Sequence, residues 1–374
     1  MIPLRAWTEI DLSAFERNLK NIKNALPKHL EFVSVVKADA YGHGLPQIVE
    51  RSLQSGIKAF AVANIHEAFE IRNMGVGWTI LLLGALLPGE EHFIPNSGFI
   101  PTISSLDELN RLNKACELNG NSTDIHLKVD TGMGRLGIWF ESIGEFLNLI
   151  KDMKCINLIG IYTHFSDPVN DPEFTLLQRQ RMENILESYA LPKSLKIHAD
   201  NSASFSDLDK YPFFNAVRIG LLQYGVLPYG KCKSDKLKLS PTLSFYTKIG
   251  LVKELPKGTS ISYGRKHFLD KDSKIAILTA GYGDGIPIAY GEKGSVIIRD
   301  QLCPIIGQIT MDQIIVDVTM LPEVEAGEKV ILIGSSENCK IGLEEFSAQS
   351  RTIPWETLCS ITKRVNRVYI NPRG

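Results

Sequence analysis

Between residues 31 and 219 eight short apolar runs recur at intervals, and the stretches separating them carry apolar residues at helical spacing. The first run, Glu31-Phe32-Val33-Ser34-Val35-Val36, stops abruptly at Lys37. The others lie near 59–63, 79–83, 99–103, 125–129, 158–163, 195–198 and 216–219, with helix-like segments such as 106–118 and 176–186 between them. Short β-branched runs bounded by glycine or polar residues read as buried strands. Eight strands, each followed by a right-handed helical crossover, satisfy a closed parallel (β/α)8 barrel of the TIM type. An open doubly wound sheet is the structural rival. It is weighed lower because no Gly-x-Gly-x-x-Gly follows the first run. Upstream, residues 8–12 read as a short strand, and Asp11 or Ser13 can cap a helix beginning near Ala14.

The pattern changes near Gly230, where Lys231-Cys232-Lys233-Ser234-Asp235-Lys236 forms a polar break. Beyond it, short runs near 243–249, 275–278, 296–298, 314–318 and 330–333 alternate with glycine- and proline-containing turns, which predicts a mainly antiparallel β domain. A helical segment, 355–363, and a final strand, 367–370, close the chain. The expected division is a barrel over 1–232 and a β-rich domain over 233–374, with the first strand (about 4–10) a candidate to pack on the second domain. A chain of 374 residues can supply both with a core.

A net charge of −1 provides no field to attract nucleic acid or an anionic membrane. No apolar run reaches membrane-spanning length, and acidic residues interrupt the N-terminal stretch where a signal peptide needs an apolar core. The six cysteines are scattered, without Cys-x-x-Cys spacing, which argues for a reducing compartment and against structural zinc. The expectation is a cytoplasmic protein with no metal site and most thiols in its core.

In a barrel of this kind the loops after the strands form the active face. Lys37 and Tyr41 follow strand one, and Lys128 to Gly137, with Arg135, follow strand five. His164 follows strand six, His198 to Ser202 strand seven, and Arg218 to Leu221 strand eight. A lysine at a strand end against an apolar wall has its ammonium form disfavoured, as an imine-forming amine requires. The loops after strands seven and eight, with Asn201-Ser202 and the backbone around Gly220, suit a phosphate. An imine-forming lysine beside a phosphate site suggests pyridoxal 5′-phosphate (PLP). Asp130-Thr131-Gly132 matches an aspartic-protease signature, but that chemistry needs a second such carboxylate, and none occurs.

At these residues the chain resembles the alanine racemases, PLP enzymes with a barrel and a β domain. The resemblance covers nearly the whole chain and rests on seven motifs in order. These are Val35 to Gly44, Lys128 to Gly137, His164-Phe165-Ser166, Asn201-Ser202-Ala203, Val217 to Gly220, Ser262-Tyr263-Gly264 and Thr310 to Gln313. It implies that Lys37 binds PLP and acts as a base on one face of the substrate, with Tyr263 from the partner subunit of a homodimer serving the other. It further implies that Arg218 hydrogen-bonds the pyridine nitrogen, that His164 supports it, and that Tyr41, Ser202, Gly220 and Leu221 hold the phosphate. Arg135 and the partner's Met311 backbone match carboxylate-binding groups. Lys128 matches a lysine carbamylated in some relatives, while Tyr282 and Asp312 match the entrance. Trp355 departs from the pattern, standing where the family has a tyrosine that contacts phosphate and narrows the entrance. The implied reaction is interconversion of L- and D-alanine, supplying D-alanine for peptidoglycan. A broader racemase that also takes serine, a decarboxylase of the same fold, and a non-catalytic PLP-binding protein are the alternatives.

Overall fold

A computed structural model describes residues 2–228 and 237–371. The polar break at 231–236, Cys232 and the expected boundary between 232 and 233 lie outside the described residues. Eight parallel strands form a closed barrel: Glu31–Val35, Ala59–Val62, Thr79–Leu82, Phe99–Ile103, Thr123–Asp130, Ile156–Tyr162, Lys196–Asn201 and Ala216–Ile219. Each pairs with its neighbours, and the ring closes where Val217 meets Phe32 and Arg218 meets Val33. Strands such as Ala59–Val62 are buried along their whole length. A parallel sheet covered on both faces demands continuous apolar runs of this kind, which is why they stood out in the sequence.

Helices Leu45–Gln54, Ile65–Asn73, Leu106–Asn119, Ile143–Asp152 and Pro172–Ser188 supply five of the crossovers. Two crossovers depart from the expected strand-plus-helix unit. The third and fourth strands are joined through a 3-10 turn at Glu90–Phe93, and the seventh and eighth through another at Phe205–Lys210. Pro88, Gly89 and Pro95 break the first of these segments. In the second, Asn201 accepts the Ala203 N–H at 2.8 Å, a local bond that competes with helix formation. Helix Leu12–Ala25 is capped by Asp11, whose carboxylate accepts the Ala14 N–H at 2.7 Å. It buries Leu12, Phe15, Leu19 and Ile22 on one face.

The second domain is built on the long strand Leu243–Leu255, which pairs antiparallel with Ser273–Leu278 and Lys329–Ser335. The N-terminal strand Ala6–Asp11 joins this sheet, antiparallel to Leu243–Leu255 and parallel to the last strand, Asn366–Ile370. The first and last strands among the described residues therefore lie in one sheet, and the helix Leu12–Ala25 that follows the first packs on the barrel side, which ties the two domains together. Strand Gln301–Pro304 and helix Leu343–Gln349 were not expected. The terminal helix spans Pro354–Ser360 rather than 355–363: the backbone turns extended at Ile361, and the carbonyls of Ile361 and Thr362 accept from Arg367. No helix among the described residues is long and apolar enough to cross a membrane.

Candidate active site

Lys37 opens a turn whose handedness the sequence does not signal. Ala38, Asp39, Ala40 and Tyr41 all have φ between 52° and 55°, so four consecutive non-glycine residues wind left-handed. Each such residue costs about 1–2 kcal/mol, and strain of that kind persists only where the surroundings over-determine it. Within the barrel, Glu67 accepts the Ala38 N–H at 2.6 Å and Asp39 accepts the Leu45 N–H at 2.7 Å. The His43 ring lies 2.9 Å from the Tyr41 carbonyl through Nδ1. The result is that Lys37 and Tyr41 line the same cavity, of about 570 Å³.

That cavity gathers the predicted residues of the barrel loops. Lys128, Arg135 and His164 line it, as do Ser202, Arg218, Gly220 and Leu221. Trp355 reaches it from the second domain. Four predicted residues are not brought there within one chain: Tyr263, Tyr282, Met311 and Asp312. They sit on adjoining loops of the second domain, where the Gly283 N–H bonds the Met311 carbonyl at 2.9 Å and the Tyr282 N–H that of Thr310 at 3.0 Å. Tyr263 is 69% exposed and Met311 51%. Asp312 accepts a hydrogen bond from Arg364 at 2.7 Å.

Arg218 is only 3% exposed, and its guanidinium is fixed on two sides. Nη2 lies 3.0 Å from the carbonyls of Thr163 and Ala199 and 2.9 Å from His164 Nδ1. Nη1 lies 2.7 Å from His198 Nδ1, and His198 Nε2 in turn lies 2.9 Å from His126 Nδ1. Burial lowers the basicity of Arg218 to about 10, which leaves it charged at neutral pH. Burial and then the Arg218 charge push His164 and His198 well below their usual range, so both rings are neutral. A neutral His198 can accept from Arg218 and donate onward to His126.

Lys37 is also held below its ordinary value, first by burial and then by the charge of Arg135. Lys128 falls to about 7 through burial and the charges of Arg218, Arg135 and Lys37. Tyr41 is pushed up by burial and stays a donor. These shifts favour the neutral form of both amines beside a fixed cation, the setting that nucleophilic lysine chemistry needs.

The donor set fits PLP. The Tyr41 hydroxyl and the Arg218 Nε–H have no protein partner among the described residues, so both are left for an occupant. The Ser202 hydroxyl accepts the Gly220 N–H at 3.1 Å and keeps its own proton to donate. A Cβ at Gly220 would collide with the Tyr41 hydroxyl, so only glycine keeps this cradle open.

Three contributors escaped the sequence reading. Tyr162 stacks on His198 with ring centroids 4.5 Å apart and lies beneath the Arg218 guanidinium. Both rings point into the barrel from strand positions that alternation could have flagged. His126 was read only as part of a strand. Cys359 lines the cavity near Lys37, contrary to the expectation that most thiols lie in the core; of the five described cysteines only Cys116 and Cys303 are buried.

Comparison with known proteins agrees with this geometry. The family models described as "Alanine racemase, N-terminal domain" and "Alanine racemase, C-terminal domain" match residues 10–228 and 242–369. An alanine racemase of Halothermothrix orenii is 35% identical, over 98% of this chain and 97% of that protein. One from Methanococcus maripaludis is 36% identical, over 99% of this chain and 100% of that protein. Among solved structures, the alanine racemase of Clostridium difficile 630 superposes with a TM-score of 0.90 at 31% identity, covering 99% of this chain and 97% of that one. The Bartonella henselae alanine racemase, with covalently bound pyridoxal phosphate, gives a TM-score of 0.88 at 29% identity, covering 98% and 100%. With both domains matched and the relatives covered almost end to end, the chain belongs to the alanine racemase family.

Proposed function

We propose that this chain is a PLP-dependent alanine racemase, an isomerase interconverting L- and D-alanine, whose site is completed by a second copy of the chain. The observation that carries this reading is that Arg218 and Lys37 line one cavity: a buried cation with a spare Nε–H, and an amine of lowered basicity.

Lys37, Tyr41, His164, Ser202, Arg218, Gly220, Leu221 and Trp355 would hold the cofactor. When bound, PLP supplies an electron-withdrawing ring that makes the α-proton of an amino acid removable. The chain's own groups handle that proton. Lys37 Nζ takes or returns it on one face, and Tyr263 Oη of the partner subunit does so on the other. Arg218 keeps its own proton, so it offers the ring nitrogen a hydrogen bond rather than a proton. Arg135 binds the substrate carboxylate through its planar donor fork, together with the partner subunit's Met311 N–H. In this chain that Met311 N–H has no hydrogen-bond partner among the described residues. Lys128, near neutrality, orients Arg135 and can carry a carbamate. Tyr282 and Asp312 stand at the entrance. The exposure of Tyr263, which does not line the cavity of its own protomer, supports a homodimer with shared sites. The barrel, 1–232, thus supplies one base and the second domain, 233–374, the other. The reading extends to a cytoplasmic, biosynthetic role, D-alanine being a building block of peptidoglycan.

A broader racemase is the second reading, favoured by Trp355 lining the cavity where the family has tyrosine. An indole can donate but not accept, and it is larger. The test begins with apoprotein and PLP, which should develop a visible absorbance that borohydride fixes on the peptide containing Lys37. Labelling at another lysine, or no absorbance, would refute the assignment. Assaying L-alanine and L-serine for their D-isomers separates the two substrate readings.

A further inference from the structure

The left-handed turn is gripped from outside the barrel as well as from within it. Arg367 of the last strand donates through Nε to the Gly42 carbonyl at 3.1 Å. Its Nη1 donates to the carbonyls of Thr362 and Val365 at 2.7 and 2.8 Å, and its Nη2 to Ile361 at 2.8 Å. All four contacts are to backbone carbonyls, so the guanidinium is locked before it reaches the turn. Two residues on, the Tyr369 hydroxyl donates to the His43 carbonyl at 3.2 Å. The glycines record how close this contact is. A Cβ at Gly42, where φ is +74°, would strike the Leu358 carbonyl, and one at Gly44 would strike the Tyr369 hydroxyl. Neither Arg367 nor Tyr369 lines the cavity.

We propose that Arg367 and Tyr369 are positioning residues for the racemase site: from the second domain they hold the left-handed turn that presents Lys37 and Tyr41 to the cofactor. The barrel's own restraints fix where the turn begins, through Glu67 at the Ala38 N–H. The second domain adds a hold on its end, at the carbonyls of Gly42 and His43, beside the barrel's own bond from the Leu45 N–H to Asp39. Because four residues of the turn are strained, releasing its end lets it relax toward right-handed conformations. The strain released offsets the hydrogen bonds lost, so the apoprotein keeps most of its stability. Cofactor binding must then re-form the turn, and affinity falls. This inference rests on the proposal that PLP binds at Lys37 and Tyr41.

Two variants test it. Arg367→Lys keeps the charge but cannot bridge four carbonyls, and Tyr369→Phe removes a single donor while keeping the ring. The dissociation constant for PLP, from absorbance titration of apoprotein, should rise about tenfold or more in the first and about threefold in the second, in line with the loss of a supporting hydrogen-bond shell. Amide exchange at 38–44 in the apoprotein should accelerate in both, while thermal midpoints stay within about 2 °C of wild type. Affinities within twofold of wild type, or unchanged exchange at 38–44, would overturn the proposal whatever the thermal midpoints do. If Arg367→Lys fails to fold, Tyr369→Phe decides. A wild-type protein without affinity for PLP would overturn the cofactor reading and this inference with it.

Discussion

Lowering the pH should loosen this protein through one buried ring beside the catalytic turn. His43 is fully buried, stacked on Tyr224 at 4.3 Å, and bonded on both nitrogens, with Nδ1 near the Tyr41 carbonyl and Nε2 2.9 Å from Thr242 Oγ1. Burial lowers its pKa from 6.5 to about 4. In the unfolded chain the ring takes up a proton near 6.5, whereas the folded ring resists it until about 4. Between those values the unfolded state binds more protons, so stability rises with pH and is lost as pH falls through the window. At about 1.36 kcal/mol per pH unit, moving from pH 7 to pH 5 withdraws about 1.8 kcal/mol through this ring alone. The assay is urea unfolding of the apoprotein at both pH values, for wild type and for His43→Asn, which keeps a donor toward the turn but does not titrate. The smaller side chain leaves the variant less stable at pH 7 by about 1–3 kcal/mol, yet its loss on acidification should be smaller than that of wild type by about 1.8 kcal/mol. His126, lowered to about 3, acts in the same direction in both proteins and cancels from the comparison. Equal losses in the two proteins would show that His43 is not held neutral by its surroundings.

Other outcomes follow from the same geometry. Arg179→Met should destabilise the fold by about 3–5 kcal/mol in urea unfolding, because Arg179 and Asp200 form a pair 2.5 Å apart with almost no solvent contact, and Asp200 would be left alone. A loss below about 1 kcal/mol would mean that Asp200 finds another partner or takes up a proton. The rate at which apoprotein captures PLP should rise with pH and level off below 10.5, since burial and Arg135 favour the neutral Lys37 amine; a stopped-flow rate still climbing beyond that value would contradict the assignment. Lys128, with its pKa near 7, should form a carbamate visible by ¹³C NMR in labelled bicarbonate and absent from Lys128→Ala.

The barrel strands were legible because each is apolar along its length, as a sheet covered on both faces requires. The loops after them were legible because strand ends on one barrel face converge whatever lies between. Strand Gln301–Pro304 was not, since only Cys303 of its four residues is buried and its pattern matches a surface turn. The handedness of the turn after Lys37 was hidden for a different reason. Alanine and tyrosine carry no left-handed preference and one aspartate among them is a weak signal, while Glu67, Arg367 and Tyr369 hold the turn from distant parts of the chain. The stacking of Tyr162 on His198 was hidden because the two come from neighbouring strands whose register only the closed barrel sets. Tyr263 was found through its motif, and it lies 69% exposed on the second domain.

The central claim is that two bases, Lys37 on one face and Tyr263 of the partner subunit on the other, move the α-proton of alanine. Racemisation of L-alanine in deuterated water, sampled at early conversion, tests it most directly. Two bases on opposite faces predict D-alanine carrying deuterium at the α-carbon, with the remaining L-alanine largely unlabelled, and strong loss of turnover in Tyr263→Phe. D-alanine that retains the original α-hydrogen, or Tyr263→Phe turning over like wild type, would contradict it.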